Sequence, residues 1–267
     1  MSTSIIIVLI LTLIIYIVSA LSYSVRIVGV KTGRIAISAS IFSIFSLSSR
    51  TATTFQQPLL AKVIEKSLKI GSTDGVLLSF RLVLVFSTIG TIIGAILMPT
   101  FIRLFSKAVE SFSIHRSVPK LIIHSFSKSG IEQFKSSLAK PKGQNIAQLK
   151  SLHKMPKKII LFNIVACSVA SVGVLASLYS GLEHPEYRTT CSTLAPIING
   201  VATILMTIFI DPYTSMLTDD VIRGECSEFQ FNRCIIFIVF GLILGTVLAQ
   251  FLLEPAAEII AIIARII

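Results

Sequence analysis

Apolar and polar positions along this chain fall into long blocks. Runs near 4–25, 35–60, 76–102, 159–181, 195–217 and 234–253 are dominated by Ile, Leu, Val, Phe and Ala. Coiled as helices at 1.5 Å per residue, such runs reach across about 30 Å of hydrocarbon. The pattern predicts an all-α, polytopic membrane protein with about six transmembrane helices. The first run contains Val18-Ser19-Ala20, which resembles a leader cleavage site. Met1-Ser2-Thr3-Ser4 lacks the basic start of a leader, so the run reads as a retained helix.

Composition supports this class. Of 267 residues, 53% are hydrophobic and 14% charged, where soluble domains average about 25% charged. Mean hydropathy is +0.85, more apolar surface than a soluble fold of this size hides. The net charge of +11 therefore reads first as loop charge. Arg26, Lys31 and Arg34, the basic residues from Arg103 to Lys158, and Arg223 and Arg233 all fall on one side of a six-helix layout. Lys62, Lys66, Lys69, Arg188 and Arg265 fall on the other. The positive-inside rule makes the first side cytoplasmic and puts both termini outside, in a cytoplasmic membrane. Four cysteines, without C-x-x-C spacing, predict neither a disulfide framework nor a zinc site.

The break at 103–158 divides the chain into halves at 1–102 and 159–267. Within it Leu121, Ile122, Phe126, Ile131, Phe134 and Leu138 follow one helical face, with Gly130 and Pro141 as interruptions. The segment reads either as a helix lying on anionic membrane lipids or as a solvated loop. No RNA-binding signature accompanies its Phe residues, so nucleic acid is not an expected partner.

The halves resemble each other in outline. Tyr23, Arg34 and Pro58 match Tyr179, Arg188 and Pro212; Gly71 and Arg81 match Gly224 and Arg233. Gly90-x-x-x-Gly94 matches Gly241-x-x-x-Gly245. With three helices each, the copies enter the membrane from opposite sides, the inverted-repeat design of many transporters. Gln57-Pro58 and Asp211-Pro212 fall late in the middle helix of each half, so breaks are expected there. The glycine motifs permit close helix contact, within one chain or between two copies.

No nucleophile triad, phosphate loop or metal-ligand spacing is present. Glu183-His184-Pro185-Glu186 reads as loop polarity, and neither enzymatic activity nor a cofactor or metal is expected. The notable chemistry is an arginine where hydrocarbon should be. Arg50 follows the uncharged run Ile35–Ser49, and an arginine at the centre of such a helix costs about 2.5–3.5 kcal/mol. Ser46, Arg50 and Thr53 share one face, which Thr54 and Gln57 extend. Gln56 lies beside them, and Arg81 and Asp211 bring further charge. Asp211 is the obvious counter-ion for Arg50, but the spans separate them by roughly 13 Å in depth. The alternative is an anion site, because a guanidinium fork suits phosphate or diphosphate.

At these residues the sequence resembles a known family. Ser49-Arg50-Thr51-Ala52, Gln56-Gln57-Pro58-Leu59-Leu60, Asp211-Pro212, Leu217-Thr218-Asp219-Asp220-Val221 with Gly224, and Tyr23-Ser24-Val25-Arg26 before Gly29 are similar to the Amj family of bacterial lipid II flippases. The likeness covers the whole chain, least at 106–158. It implies transfer of the undecaprenyl-diphosphate-linked peptidoglycan precursor from the inner to the outer leaflet, as an alternative to the larger MurJ flippases. Lipid II and cell-wall synthesis proteins are the partners it implies, beside the anionic lipids that the basic segment suggests. On that reading Arg50, helped by Arg81 and Arg26, holds the diphosphate, and Gln56, Gln57, Thr53 and Ser46 meet the headgroup. Asp211 is then counter-ion or coupling site. The residues alone also admit a small-ion or metabolite transporter of inverted design, or a membrane scaffold for envelope enzymes.

Overall fold

In hydrocarbon each backbone N–H and C=O must find its partner within the protein, so apolar runs of this length fold as helices. The computed structural model describes residues 3–70, 74–115 and 157–267. Helix α1 spans Thr3–Thr32, α2 Ile35–Ile70, α3 Asp74–His115 and α4 Lys157–Glu183. A 3₁₀ turn at Pro185–Tyr187 leads into α5 (Arg188–Thr193) and α6 (Ala195–Leu205). A π turn at Met206–Ile210 then passes into α7 (Asp211–Ile222), and α8 covers Glu228–Ile266. The stretch Pro185–Ile222 acts as one broken fifth span. With α1, α2, α3, α4 and α8 it makes six helices long and apolar enough to cross a membrane. The protein is a multi-pass, all-α membrane protein.

Several helices outrun their apolar windows. The α2 helix continues past Leu60 because Val63 and Ile64 remain buried against the core. The α3 helix passes 102 to reach His115, and Val109 and Phe105 pack on Val25, Val28 and Ile41. The α8 helix starts at Glu228, where Ser227 and Gln230 form a capping box. It runs through Pro255, so 254–266 extends the sixth span. The predicted amphipathic face Leu121–Leu138 and Gly71 lie outside the described residues.

The two expected proline breaks differ. At Pro212 the fifth span widens into the π turn at Met206–Ile210. At Pro58 there is no break: α2 is helical throughout. A proline removes one backbone bond, and here both sides are held. Gln56 is tied to α1, and Leu60, Val63 and Ile64 are packed beyond the proline.

Small residues set the tightest helix contacts. A Cβ on Gly90 would lie 2.7 Å from the Leu13 carbonyl oxygen, and one on Gly94 2.9 Å from that of Ile17. A Cβ on Gly245 would lie 2.9 Å from the Ile164 carbonyl oxygen, and one on Gly241 would collide with Asn163. So α3 lies on α1, and α8 on α4, each by its own glycine motif and within one chain. The Asn163 amide, fully buried, donates to the Ile238 carbonyl at 2.8 Å and reinforces the second pair.

The apolar core is divided by depth. One cluster joins Ile5, Val8 and Leu9 to Leu60, Val63, Ile64, Phe80, Leu175 and Leu253. Another, at the opposite end, joins Ile27, Met98, Ile210, Phe231 and Ile235. Polar residues occupy the level between them, among them Thr12, Ser87, Thr91 and Ser168, all buried. Gly94→Ala or Gly245→Ala should each cost about 1–3 kcal/mol of stability through overpacking, read as lost thermal stability in detergent. Gly200→Ala, where a Cβ meets nothing within 4 Å, should be neutral or slightly stabilising.

Candidate functional site

Helix α1 supplies the floor of the site. Thr12, Tyr16, Ser19, Tyr23 and Arg26 recur at heptad spacing and share one face. The Tyr16 hydroxyl donates to Ser171 Oγ on α4 at 3.0 Å. Near the end of α1, Arg26 reaches across to α7. Its Nη2 pairs with Asp211 Oδ1 at 2.9 Å, and its Nη1 donates to Thr214 Oγ1. Its guanidinium also lies 4.3 Å from the Phe42 ring centroid on α2, a geometry that stabilises the cation. Arg26 is mostly enclosed, while the Asp211 side chain is 49% exposed.

Of the two uses weighed for Asp211, pairing with Arg50 is not made: Asp211 pairs with Arg26, and depth is the reason. Tyr23 and Arg26 pack on Phe42, whereas Gln56 at the other end of the interface donates to Thr12 Oγ1. Arg50 lies about 12 Å along α2 from Phe42 and about 9 Å from Gln56. That places it level with the middle of α1, above the Asp211 pair. Arg50 is exposed, and it makes no ion pair with any described residue. Tyr23 lies within electrostatic range of Arg26, Asp211 and Arg50 together.

The other predicted residues divide. Gln56 is buried and its amide nitrogen is engaged with Thr12 and Val8 of α1, so it staples two helices. Gln57 and Ser46 are half-buried beside Arg50. Thr53 and Thr54 return their hydroxyl protons to the carbonyls of Ser49 and Arg50, which satisfies the donors and leaves acceptor lone pairs. Arg81 is withdrawn to the opposite end of the bundle. Its Nη2 pairs with Glu254 at 2.5 Å, its Nη1 donates to the Gln250 carbonyl, and Gln250 donates back to the Arg81 carbonyl at 3.0 Å. This clasp ties α3 to α8, because Arg81 opens α3 at the level where Glu254 stands on α8.

The second and fifth spans do not pack on each other. Among the described residues, no Cα of α2 comes within 8 Å of α6, the π turn or α7. The fifth span is held instead by α4, including a stacked Phe162–Phe209 pair at 4.4 Å. A further arginine, Arg233 on α8, is 6% exposed, and its Nε and Nη2 have no hydrogen-bond partner. By hydropathy it counts as loop charge, ahead of the apolar run at 234–253. Its signal was its position inside the capped helix begun by Ser227-x-x-Gln230. The α1 stripe was also legible from spacing alone. No cluster of three or more His, Cys, Asp or Glu suited to a metal occurs among the described residues. In the α7–α8 turn, burial and then the Asp220 charge push the Cys226 thiol up, away from reactivity.

A double-mutant cycle of Arg26→Gln with Asp211→Asn should show coupling of about 0.5–3 kcal/mol in unfolding free energy. The cycle of Arg50→Gln with Asp211→Asn should be additive to within about 0.5 kcal/mol. Equal coupling in both cycles would restore the Arg50 pair.

Comparisons agree on one family. The family model described as Amj, alternate to MurJ, matches residues 11–264. The lipid II flippase Amj of Bacillus subtilis (strain 168) is 36% identical over 256 residues, covering 93% of this chain and 92% of that protein. No solved structure matches the chain.

Proposed function

The chain belongs to the Amj family, and from that premise we propose that it flips lipid II from the inner to the outer leaflet of a bacterial cytoplasmic membrane. The observation that carries this reading is Arg50. It stands level with the middle of α1, with no carboxylate partner among the described residues, on a flank of α2 that does not pack on the fifth span. A diphosphate is the anion such a fork holds well. The polyprenyl tail stays in lipid and follows the headgroup between α2 and the fifth span. Ser46, Thr53 and Gln57 line the same flank for sugar and peptide groups.

The Arg26–Asp211 end is cytosolic on the positive-inside count, with 103–158 inside and both termini outside. There the half-exposed Asp211 competes with an incoming diphosphate for Arg26. Release of Asp211 frees α7, and the π turn at Met206–Ile210 is the natural hinge. Asp211 is also the group placed to take a coupling proton or cation. At the other end the Arg81–Gln250–Glu254 clasp closes the outer exit while the site loads. The matched α1–α3 and α4–α8 contacts support two inverted halves, whose interface holds the path. Anionic lipids at the basic loop and cell-wall synthesis proteins at the exit fit this role.

The test uses purified protein in proteoliposomes with labelled lipid II. Wild type should transfer the lipid, and Arg50→Ala should lower the rate to background while remaining folded. Arg50→Lys keeps the charge but loses the fork, and should retain about a tenth of the rate or less. Wild-type rates from Arg50→Ala would sink the assignment.

A further inference from the structure

Arg233 is a buried charge without a counter-charge among the described residues. An arginine cannot shed its proton in a protein, and removing it from water without a counter-charge carries a penalty of several kcal/mol. Arg233 is 6% exposed, and two of its guanidinium nitrogens find no acceptor. The Phe237 ring, 5.8 Å from its Cζ, offers partial compensation. Its position makes matters worse. Arg233 lies in the second turn of α8, near the positive end of that helix's dipole. The first-turn acid, Glu228, is exposed and forms no ion pair with it. Helix dipole and guanidinium therefore add the same sign of charge at this end of α8.

We propose that Arg233 binds the phosphate of a lipid headgroup, as a second anion station at the end of the bundle that holds Arg26. The two arginines share that end: Arg26 lies within electrostatic range of Cys234, the next residue. Among the described residues no carboxylate pairs with Arg233, Asp219, Asp220 and Glu225 near the start of α8 included. Between 116 and 156 Glu132 is the only acid, among many Lys and Arg. At this depth the anions available in a membrane are lipid phosphates. The proposal rests on the flippase reading for one of two sources, the diphosphate of the substrate arriving before it moves to Arg50. The other source is an ordinary anionic phospholipid holding the bundle end.

Native mass spectrometry of the full-length protein separates these, with undecaprenyl diphosphate and phosphatidylglycerol as the two probes. Arg233→Met should leave the melting temperature of the lipid-free protein unchanged or raise it, because a buried unpaired charge is removed. The same variant should weaken binding of one probe by about tenfold or more. Loss for undecaprenyl diphosphate assigns the station to the substrate; loss for phosphatidylglycerol alone assigns it to bulk lipid. Undiminished binding of both probes overturns the proposal. So does a melting temperature that falls equally in Arg233→Met and Glu132→Gln, which would make Glu132 the counter-ion. If the wild type fails to flip lipid II while Arg233→Met still loses phosphatidylglycerol, the station stands and the flippase reading falls.

Discussion

A guanidinium inside a bilayer keeps its charge, and the arrangement of this bundle follows from how each one is answered. Arg26 is answered by Asp211 and Thr214, and so fixes where the fifth span meets α1. Arg81 is answered by Glu254 and Gln250, and so joins α3 to α8. Arg50 and Arg233 have no carboxylate among the described residues. Two cations left over at separate depths are hard to explain as scaffolding. They suit a protein whose anionic guest comes and goes.

The packing divides rigid parts from movable ones. Glycine-mediated contacts lock α3 onto α1 and α8 onto α4, with carbonyl oxygens so close that even a methyl group lacks room. The second and fifth spans are attached differently. Helix α2 leans on α1 through Gln56 and the Phe42 contacts. The fifth span is held by α4 and the Arg26 pair, and it is interrupted by a π turn. Apolar clusters fill the two ends while polar groups occupy the middle. In the proposed flippase cycle, α2 and the fifth span move past a fixed floor, and each apolar end opens in turn.

Much of this was legible in the sequence, and the failures have physical causes. Hydropathy located six spans because lipid demands apolar length. It ended them early at 60, 102 and 253, because helices continue amphipathically once charge returns: Val63, Val109 and Ile260 are buried on helices whose other faces are wet. Arg50 stood out because its cost is local. Depth alone already counted against Asp211 as its partner, but that Arg26 takes Asp211 depends on the register between α1, α2 and α7, which composition does not carry. Phe42 against Arg26 and Gln56 against Thr12 set that register. The same register makes Gln56 a staple between α1 and α2. Pro58 and Pro212 looked equivalent in sequence, yet only the second adjoins a widened turn, because packing holds α2 on both sides of its proline.

The most direct test of the central claim is an experimental structure of the wild-type protein with undecaprenyl diphosphate bound. The account predicts phosphate oxygens within about 2.7–3.2 Å of the Arg50 guanidinium, with the tail leaving between α2 and the fifth span. A diphosphate bound elsewhere, with Arg50 facing only lipid or solvent, would contradict it.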